Sequence, residues 1–255
     1  FAQAEDCLKG VDLAFNNFCR DLKLGGKKVF VNRDSEYYDR IVKDIPREKY
    51  RRFGFFGDAG IMAENLTFVS GDHRLITEFD CRDSEGLHHF RISQPGEFSV
   101  YNALAVIACA RERGVSYEVI EEGLKNTYIR GRMEIIPGTT DYTVMIDFAH
   151  NEFSVQNLFE TILKYSPKRI VAVFGCGGNR SKLRRYSMGE VIGKNADLSI
   201  ITEDNNRYEK IEDIVSDILI GMKKADGKYI VINKRKDAIE YALENAQKGD
   251  VIMLI

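Results

Sequence analysis

The stretch Arg169-Ile-Val-Ala-Val-Phe-Gly-Cys-Gly-Gly-Asn-Arg-Ser-Lys-Leu-Arg-Arg185, continuing as Tyr186-Ser-Met188-Gly-Glu190, decides how the rest of the chain is read. An unbroken apolar run, Ile170 to Phe174, gives way to Gly175, Gly177 and Gly178, then to basic residues, and helical spacing resumes at Met188, Val191 and Ile192. This is the pattern of a buried parallel strand that opens through a glycine turn into a helix. Glycines at such a turn let the backbone come close to a ligand, and the basic residues after them supply fixed positive charge for phosphate or carboxylate. An anion is expected there. The stretch is neither G-x-G-x-x-G nor the G-x-x-x-x-G-K-[ST] of a phosphate loop, so its neighbours must decide its meaning.

Downstream, strands are expected at Leu198 to Thr202, Tyr229 to Ile232 and Val251 to Ile255, and helices from Arg184, over Ile211 to Met222 and over Ala238 to Ala246. Upstream, a strand at Thr143 to Asp147 precedes a helix at Val155 to Leu163. Regular strand and helix alternation means right-handed βαβ units and a mainly parallel sheet. The last strand ends the sequence at its carboxyl edge, so a continuation is expected.

The first half has a different texture. A helix is expected over Ala4 to Leu24, a strand at Lys28 to Asn32, and a helix at Ser35 to Val42 with Ser35 as cap. Asn65 to Ser70, Leu75 to Cys81 and His88 to Ser93 read as antiparallel strands separated by turns such as Asp83-Ser84-Glu85-Gly86. After Gln94-Pro95-Gly96 a long helix carries Val100, Ala103, Leu104 and Ile107 on one face, with Asn102 off that stripe, and a second helix runs from Tyr117 to Leu124. Tyr128 to Glu134 is irregular and charged, as a domain junction would be. The fold class is therefore α/β in two parts: residues 1–133 with an antiparallel β addition, and 134–255 as a Rossmann-like, mainly parallel domain.

Composition sets outer limits. A net charge of -2 and a pI near 6.2 give no electrostatic case for nucleic acid or an anionic membrane as partner. The five cysteines, Cys7, Cys19, Cys81, Cys109 and Cys176, are odd in number and widely spaced, so neither a zinc site nor a disulfide framework is indicated. Reduced thiols, a cytoplasmic location and a monomer are the expectation, and the apolar runs are too short to span a bilayer.

Open α/β sheets bind ligands beyond the carboxyl ends of their strands. Those ends are Asp147-Phe-Ala-His150-Asn151, then Gly175 to Lys182, then Glu203-Asp204-Asn205-Asn206-Arg207. His150 suits stacking or hydrogen bonding to a nucleotide, or poising a nucleophile. Asp147 suits magnesium through water, or a capping role for the next helix. Arg180 and Arg207 on neighbouring loops suit bidentate pairing with carboxylates, and Asn205 suits an amine or a carbonyl. That combination would hold an amino acid.

These residues resemble the Mur ligase family. The matching pieces are Gly96-Glu-Phe-Ser-Val-Tyr101-Asn102-Ala-Leu-Ala, Gly131-Arg132-Met-Glu134, Asp147-Phe-Ala-His150-Asn151, Phe174-Gly-Cys-Gly-Gly-Asn-Arg180 and Thr202-Glu-Asp204-Asn205-Asn-Arg207-Tyr-Glu209. The resemblance, closest to the branch that adds the third residue of the peptidoglycan stem peptide, implies an ATP- and magnesium-dependent amide ligation. The carboxylate of a UDP-linked muramoyl dipeptide is phosphorylated, and the amine of a free amino acid attacks the acyl phosphate. By the same resemblance Asn102, Arg132, Asp147, His150 and Asn151 correspond to nucleotide-contacting positions, with Arg132, Asp147 and His150 nearest the chemistry. Arg180, Asn205 and Arg207 correspond to those that hold the incoming amino acid.

The family's Gly-Lys-Thr-Thr phosphate loop and UDP-binding domain do not occur in these residues, nor does its later Gly-Lys-Gly-His-Glu loop, so a core fragment, inactive by itself, is expected. The family's carbamylated lysine falls in register near Asn17, which leaves the metal ligands unassigned. Diaminopimelate-adding members read Asp-Asn-Pro-Arg where this chain has Asn206 for proline. Arg207 is kept, which favours a diacid such as meso-diaminopimelate over lysine. Rival expectations are a folylpolyglutamate or cyanophycin type of ligase, and a non-catalytic amino-acid or nucleotide-binding module.

Overall fold

The computed structural model describes residues 28–71, 74–138 and 141–255. The expected helix at Ala4 to Leu24 and the position of Asn17 lie outside the described residues. The chain divides into two compact units, one of residues up to Thr67 with Glu78–Arg91 and Glu97–Lys125, the other of Phe68–Thr77, Ile92–Gly96 and Asn126–Ile255.

The first sheet runs in the order β1 (Val29–Asn32), β2 (Tyr50–Gly54), β3 (Ile61–Gly71), β4 (Arg74–Asp83), β5 (Gly86–Ile92). β1 and β2 pair in parallel, Val29 opposite Tyr50, and β2 continues in parallel onto β3, Phe53 opposite Ile61. The pairs Glu64 with Arg82 and Asn65 with Asp80, and then Asp80 with His89 and Glu78 with Arg91, descend along one strand as they ascend along the next, so β3, β4 and β5 are antiparallel. The antiparallel half matches the sequence expectation; the parallel half includes β2, which it missed. Arg51 and Arg52 interrupt the apolar pattern there, and both are ion-paired, Arg51 with Glu112 at 2.8 Å and Arg52 with Asp58.

The helix α1 spans Tyr38–Val42, three residues later than expected. Ser35 does not cap it; its hydroxyl accepts the Tyr37 N–H at 3.3 Å within the turn that precedes the helix. α2 (Glu97–Glu112) buries Val100, Leu104 and Ile107 completely, as the apolar stripe requires, and α3 follows at Tyr117–Asn126.

The second sheet holds β6 (Glu134–Ile136), β7 (Thr143–Ile146), β8 (Arg169–Phe174), β9 (Leu198–Ile201), β10 (Tyr229–Val231) and β11 (Asp250–Leu254), in the order β10-β9-β8-β11-β7-β6. The first five are parallel and β6 closes the edge antiparallel to β7. Between them lie α4 (Glu152–Leu163), α5 (Lys182–Asn195), α6 (Ile211–Lys224) and α7 (Arg235–Glu244). The run Ile170 to Phe174 is uniformly apolar because both of its faces are buried. Ile170, Ala172 and Phe174 enter the core shared with Phe159, Ile192 and Ile218, while Val171 and Val173 enter the one shared with Ala238 and Ala242.

Two glycines bring α5 and α6 together at backbone distance. A Cβ on Gly189 would strike the Ile218 carbonyl, and one on Gly221 would strike the Tyr186 carbonyl and approach Glu190 N at 2.5 Å. Elsewhere in this unit the Tyr165 hydroxyl meets Thr77 Oγ1 at 2.9 Å and accepts the Gly96 N–H at 3.1 Å, and burial raises its pKa.

Gly221→Ala should lower stability by about 1–3 kcal/mol, since backbone atoms cannot yield to the methyl. Gly123→Ala, in α3 with nothing within 4 Å of the added Cβ, should instead be neutral or stabilising by up to about 1 kcal/mol. Urea midpoints of the two variants against the parent chain decide the matter.

Candidate functional site

Because β7, β8, β9, β10 and β11 are parallel, their carboxyl ends share one edge of the second sheet. At the end of β7, the Asp147 carboxylate accepts the Met133 N–H at 2.8 Å on one oxygen and the Ala149 N–H at 2.7 Å on the other. It thus fastens the Gly131 to Met133 turn to the strand end. Capping of the next helix, one of its expected roles, falls instead to Asn151, whose side chain accepts the Ser154 N–H at 2.9 Å while Ser154 Oγ accepts the Asn151 N–H at 3.3 Å.

His150 is exposed, and its Nδ1 lies 3.0 Å from the Phe148 carbonyl oxygen. A carbonyl can only accept, so Nδ1 donates in this contact and Nε2 is the ring nitrogen left to face a ligand. The Arg132 guanidinium lies over the Phe148 ring at 5.0 Å, and the Phe148 and His150 rings are 5.3 Å apart. Cation, aromatic face and imidazole form one exposed row, a surface suited to a flat, anionic ligand. Asn102 belongs to the first unit, where it is exposed on α2.

The turn after β8 and the loop after β9 interlock through their backbones. Gly178 N–H donates to the Asn205 carbonyl at 2.8 Å, and Arg207 Nη1 donates to the Gly178 carbonyl at 2.6 Å. A Cβ on Gly178 would collide with the Asn206 carbonyl, and one on Gly175 with the Thr202 carbonyl. The glycines expected to admit a ligand are therefore occupied in admitting the neighbouring loop. Arg207 and Asn179 hold positive φ values of 49° and 52°, and Tyr208 N–H donates to Asn179 Oδ1 at 3.2 Å. Arg180 and Arg207 both reach the space beside Gly177, the former with Cγ and the latter with Nη1.

The basic cluster after the turn divides in two. Arg180 and Lys182 are exposed, whereas Arg185 is only 1% exposed. Its Nη1 donates to Glu209 Oε2 at 2.8 Å and Asp217 Oδ2 at 2.9 Å, and its Nη2 to Glu209 Oε1 at 2.8 Å and the Gly177 carbonyl at 3.2 Å. Glu209 also accepts the Asn179 N–H. Sequence reasoning placed Arg185 among the ligand-facing basic residues; it is an internal tie. Glu209, the acid that closes the loop, carried the only signal, since a buried cation needs a partner. Between α4 and α5, Asn151, Phe153, Gln156, Arg184 and Val191 line a cavity of about 470 Å³.

As for metals, the two Asp147 oxygens each accept a backbone N–H, and among the described residues no three acidic, histidine or cysteine groups converge. The donor set does not make a magnesium site by itself. No helix among the described residues is long and apolar enough to cross a membrane.

An α/β unit with polar loops at one sheet edge defines a ligand-binding class of fold, and comparison with known families makes the class specific. Residues 131–255 match the Mur ligase, glutamate ligase domain, and residues 7–110 match the Mur ligase middle domain. The chain belongs to the Mur ligase family. The UDP-N-acetylmuramoyl-L-alanyl-D-glutamate--2,6-diaminopimelate ligase 1 of Clostridium acetobutylicum is 36% identical over 231 residues, covering 89% of this chain and 46% of that protein. A ligase of the same name, without the number, from Clostridioides difficile is 39% identical over 233 residues, covering 90% and 45%. The chain thus spans about half the length of the curated relatives it matches. Among solved structures, a folylpolyglutamate synthase from Thermotoga maritima shares the fold with a TM-score of 0.68 at 19% identity, over 89% of this chain and 51% of that one.

Pairing with Arg185, then the Asn179 N–H, holds the Glu209 carboxyl down at about 2, below its ordinary 4.5. A depressed acid stabilises the fold fully above its unfolded pKa and loses that contribution as pH falls through the folded one. The stability gap between the parent chain and Glu209→Gln should therefore be constant above about pH 5 and shrink as pH falls from there towards 2. Urea unfolding at stepped pH measures it; a gap that widens on acidification would refute the assignment.

Proposed function

We propose that the chain is the core of an ATP-dependent amino-acid ligase of peptidoglycan synthesis. The full protein would join meso-diaminopimelate, as third residue, to UDP-N-acetylmuramoyl-L-alanyl-D-glutamate. In this proposal residues 1–133 are the remainder of a central ATP-binding domain and 134–255 the ligase domain, working in the cytoplasm as a monomer. The observation that carries it is the approach of two arginine side chains from interlocked strand-end loops to the space beside Gly177, Arg207 with its Nη1 and Arg180 with its Cγ. The names of relatives at 36% and 39% identity support the same acceptor.

ATP converts the muramoyl dipeptide's carboxylate to an acyl phosphate; the acceptor amine then forms the amide bond, phosphate leaves and the amine gives up a proton. The chain's own residues hold and orient. Arg207 spends one N–H on the Gly178 carbonyl and keeps the rest of its donor fork for a carboxylate. A diacid acceptor matches two guanidinium groups, whereas the cationic end of lysine would be repelled. Asn205 would orient the amino-acid head group. Arg132 and His150, with Asp147, Asn151 and Asn102, are proposed to contact the nucleotide: Arg132 the anionic part, His150 Nε2 an amine donor. Magnesium remains implied by ATP. The 255 residues contain no Gly-Lys-Ser or Gly-Lys-Thr phosphate loop, so alone they should not turn over ATP.

Calorimetric titration of the chain at low salt with meso-diaminopimelate, L-lysine and L-glutamate tests the acceptor. Saturable binding is expected for diaminopimelate alone, weakened at least tenfold by Arg207→Ala, because a charge-assisted carboxylate contact is worth about 1.5–3 kcal/mol. Preference for L-glutamate would favour the folylpolyglutamate type instead, and preference for L-lysine would remove the diacid assignment.

A further inference from the structure

Arg185 is the largest fully buried side chain among the described residues. Burying a guanidinium inside a helix layer carries a desolvation cost of several kcal/mol, and well-packed apolar residues in place of such a network are often equally stable. Stability alone therefore does not account for it. What apolar packing cannot supply is direction: a planar fork meeting both oxygens of one carboxylate fixes the partner's orientation as well as its distance.

Here the partner is Glu209, at the far end of the loop that carries Asn205 and Arg207, and both of its oxygens are engaged, at 2.8 Å each. Glu209 Oε1 also accepts the Asn179 N–H, and Arg185 Nη2 donates to the Gly177 carbonyl at 3.2 Å. One guanidinium thus ties both ends of the interlock: Gly177 and Asn179 flank Gly178, and Glu209 lies two residues beyond Arg207. The third partner, Asp217 on α6, anchors the guanidinium to the helix layer at 2.9 Å. Arg185 is too enclosed to touch a ligand itself.

We infer that Arg185 and Glu209 are positioning residues that act through the two loops to hold Arg180, Asn205 and Arg207 in register for a carboxylate-bearing acceptor. The inference rests on the acceptor assignment proposed above for its ligand, and on the loop geometry for its mechanism.

Three variants of the chain test it. Arg185→Lys keeps the charge and loses the fork; Glu209→Gln keeps the shape and loses the charge. Arg169→Lys serves as control, since it weakens another ion pair with a buried carboxylate, Arg169 Nε to Asp250 at 3.1 Å, at the amino ends of β8 and β11. Two readouts are taken: amide hydrogen exchange at Gly178 and Asn179 against Thr202 and Ile255, whose N–H groups bond to Phe174 and Val173 carbonyls in the sheet, and calorimetric affinity for meso-diaminopimelate. Arg185→Lys and Glu209→Gln should speed exchange at Gly178 and Asn179 at least tenfold, leave Thr202 and Ile255 unchanged, and weaken diaminopimelate binding at least tenfold. Arg169→Lys should leave affinity within threefold. Parent-like affinity or parent-like Gly178 protection in the first two variants would overturn the inference, as would equal acceleration at every amide. If the parent chain itself fails to bind diaminopimelate, the acceptor assignment falls. The clamp is then judged by exchange alone, selective loss at the loops supporting it and uniform loss overturning it.

Discussion

Parallel strands can be joined only by crossovers that carry the chain back across a face of the sheet, and the rest of the second unit follows from that constraint. It makes every strand of β7 to β11 end on one edge, so Asp147, Gly175 and Thr202 are delivered to the same side of the sheet although they are far apart in sequence. It also buries both faces of the central strand, which is why Ile170 to Phe174 needs no polar residue. Loops thrown onto one edge then compete for the same space. The glycines at 175 and 178 are the solution: their missing Cβ atoms are filled by the Thr202 and Asn206 carbonyls of the next loop.

Interlocked backbones leave few side chains free, and charge decides which. Arg185 turns inward and is held by two carboxylates and a carbonyl, so its positive charge is spent inside the protein. Arg180 stays outside, and Arg207 gives up a single N–H. A cluster that reads in the sequence as four equivalent cations is thus one structural tie and a smaller set of outward groups. The difference arises from position on α5: Arg185 falls on the face that carries Met188, Gly189 and Ile192 against α6, where an unpaired cation would be intolerable, and Glu209 and Asp217 are there to meet it.

Most of the architecture could be read from apolar periodicity. The strand and helix alternation after residue 142 came out with ends displaced by at most a few residues, and the stripe Val100, Ala103, Leu104, Ile107 is buried as expected. β2 escaped because Arg51 and Arg52 sit in it, and their acidic partners, Glu112 and Asp58, have no local sequence signature linking them to it. β6 escaped because three residues are too few to set a period. Ser35 has the chemistry of a helix cap, yet a turn intervenes and the helix starts later; propensity identified the residue and tertiary context chose the motif.

The site was legible to a different degree. Residue types at strand ends announce themselves, since Asp147, His150, Arg180 and Arg207 are polar groups at places where a sheet edge gathers ligands. What each does beyond that is set by hydrogen bonds no spacing reveals. Asp147 is engaged by Met133 and Ala149 N–H groups, and Asn151 by Ser154, so both build the loop before they can serve a ligand. His150 turns its Nε2 outward because the backbone curls to offer the Phe148 carbonyl to Nδ1. A side chain held by one backbone contact and open at its other end is pre-set in direction at little entropic cost when a ligand arrives, which is the physical property that a binding edge requires.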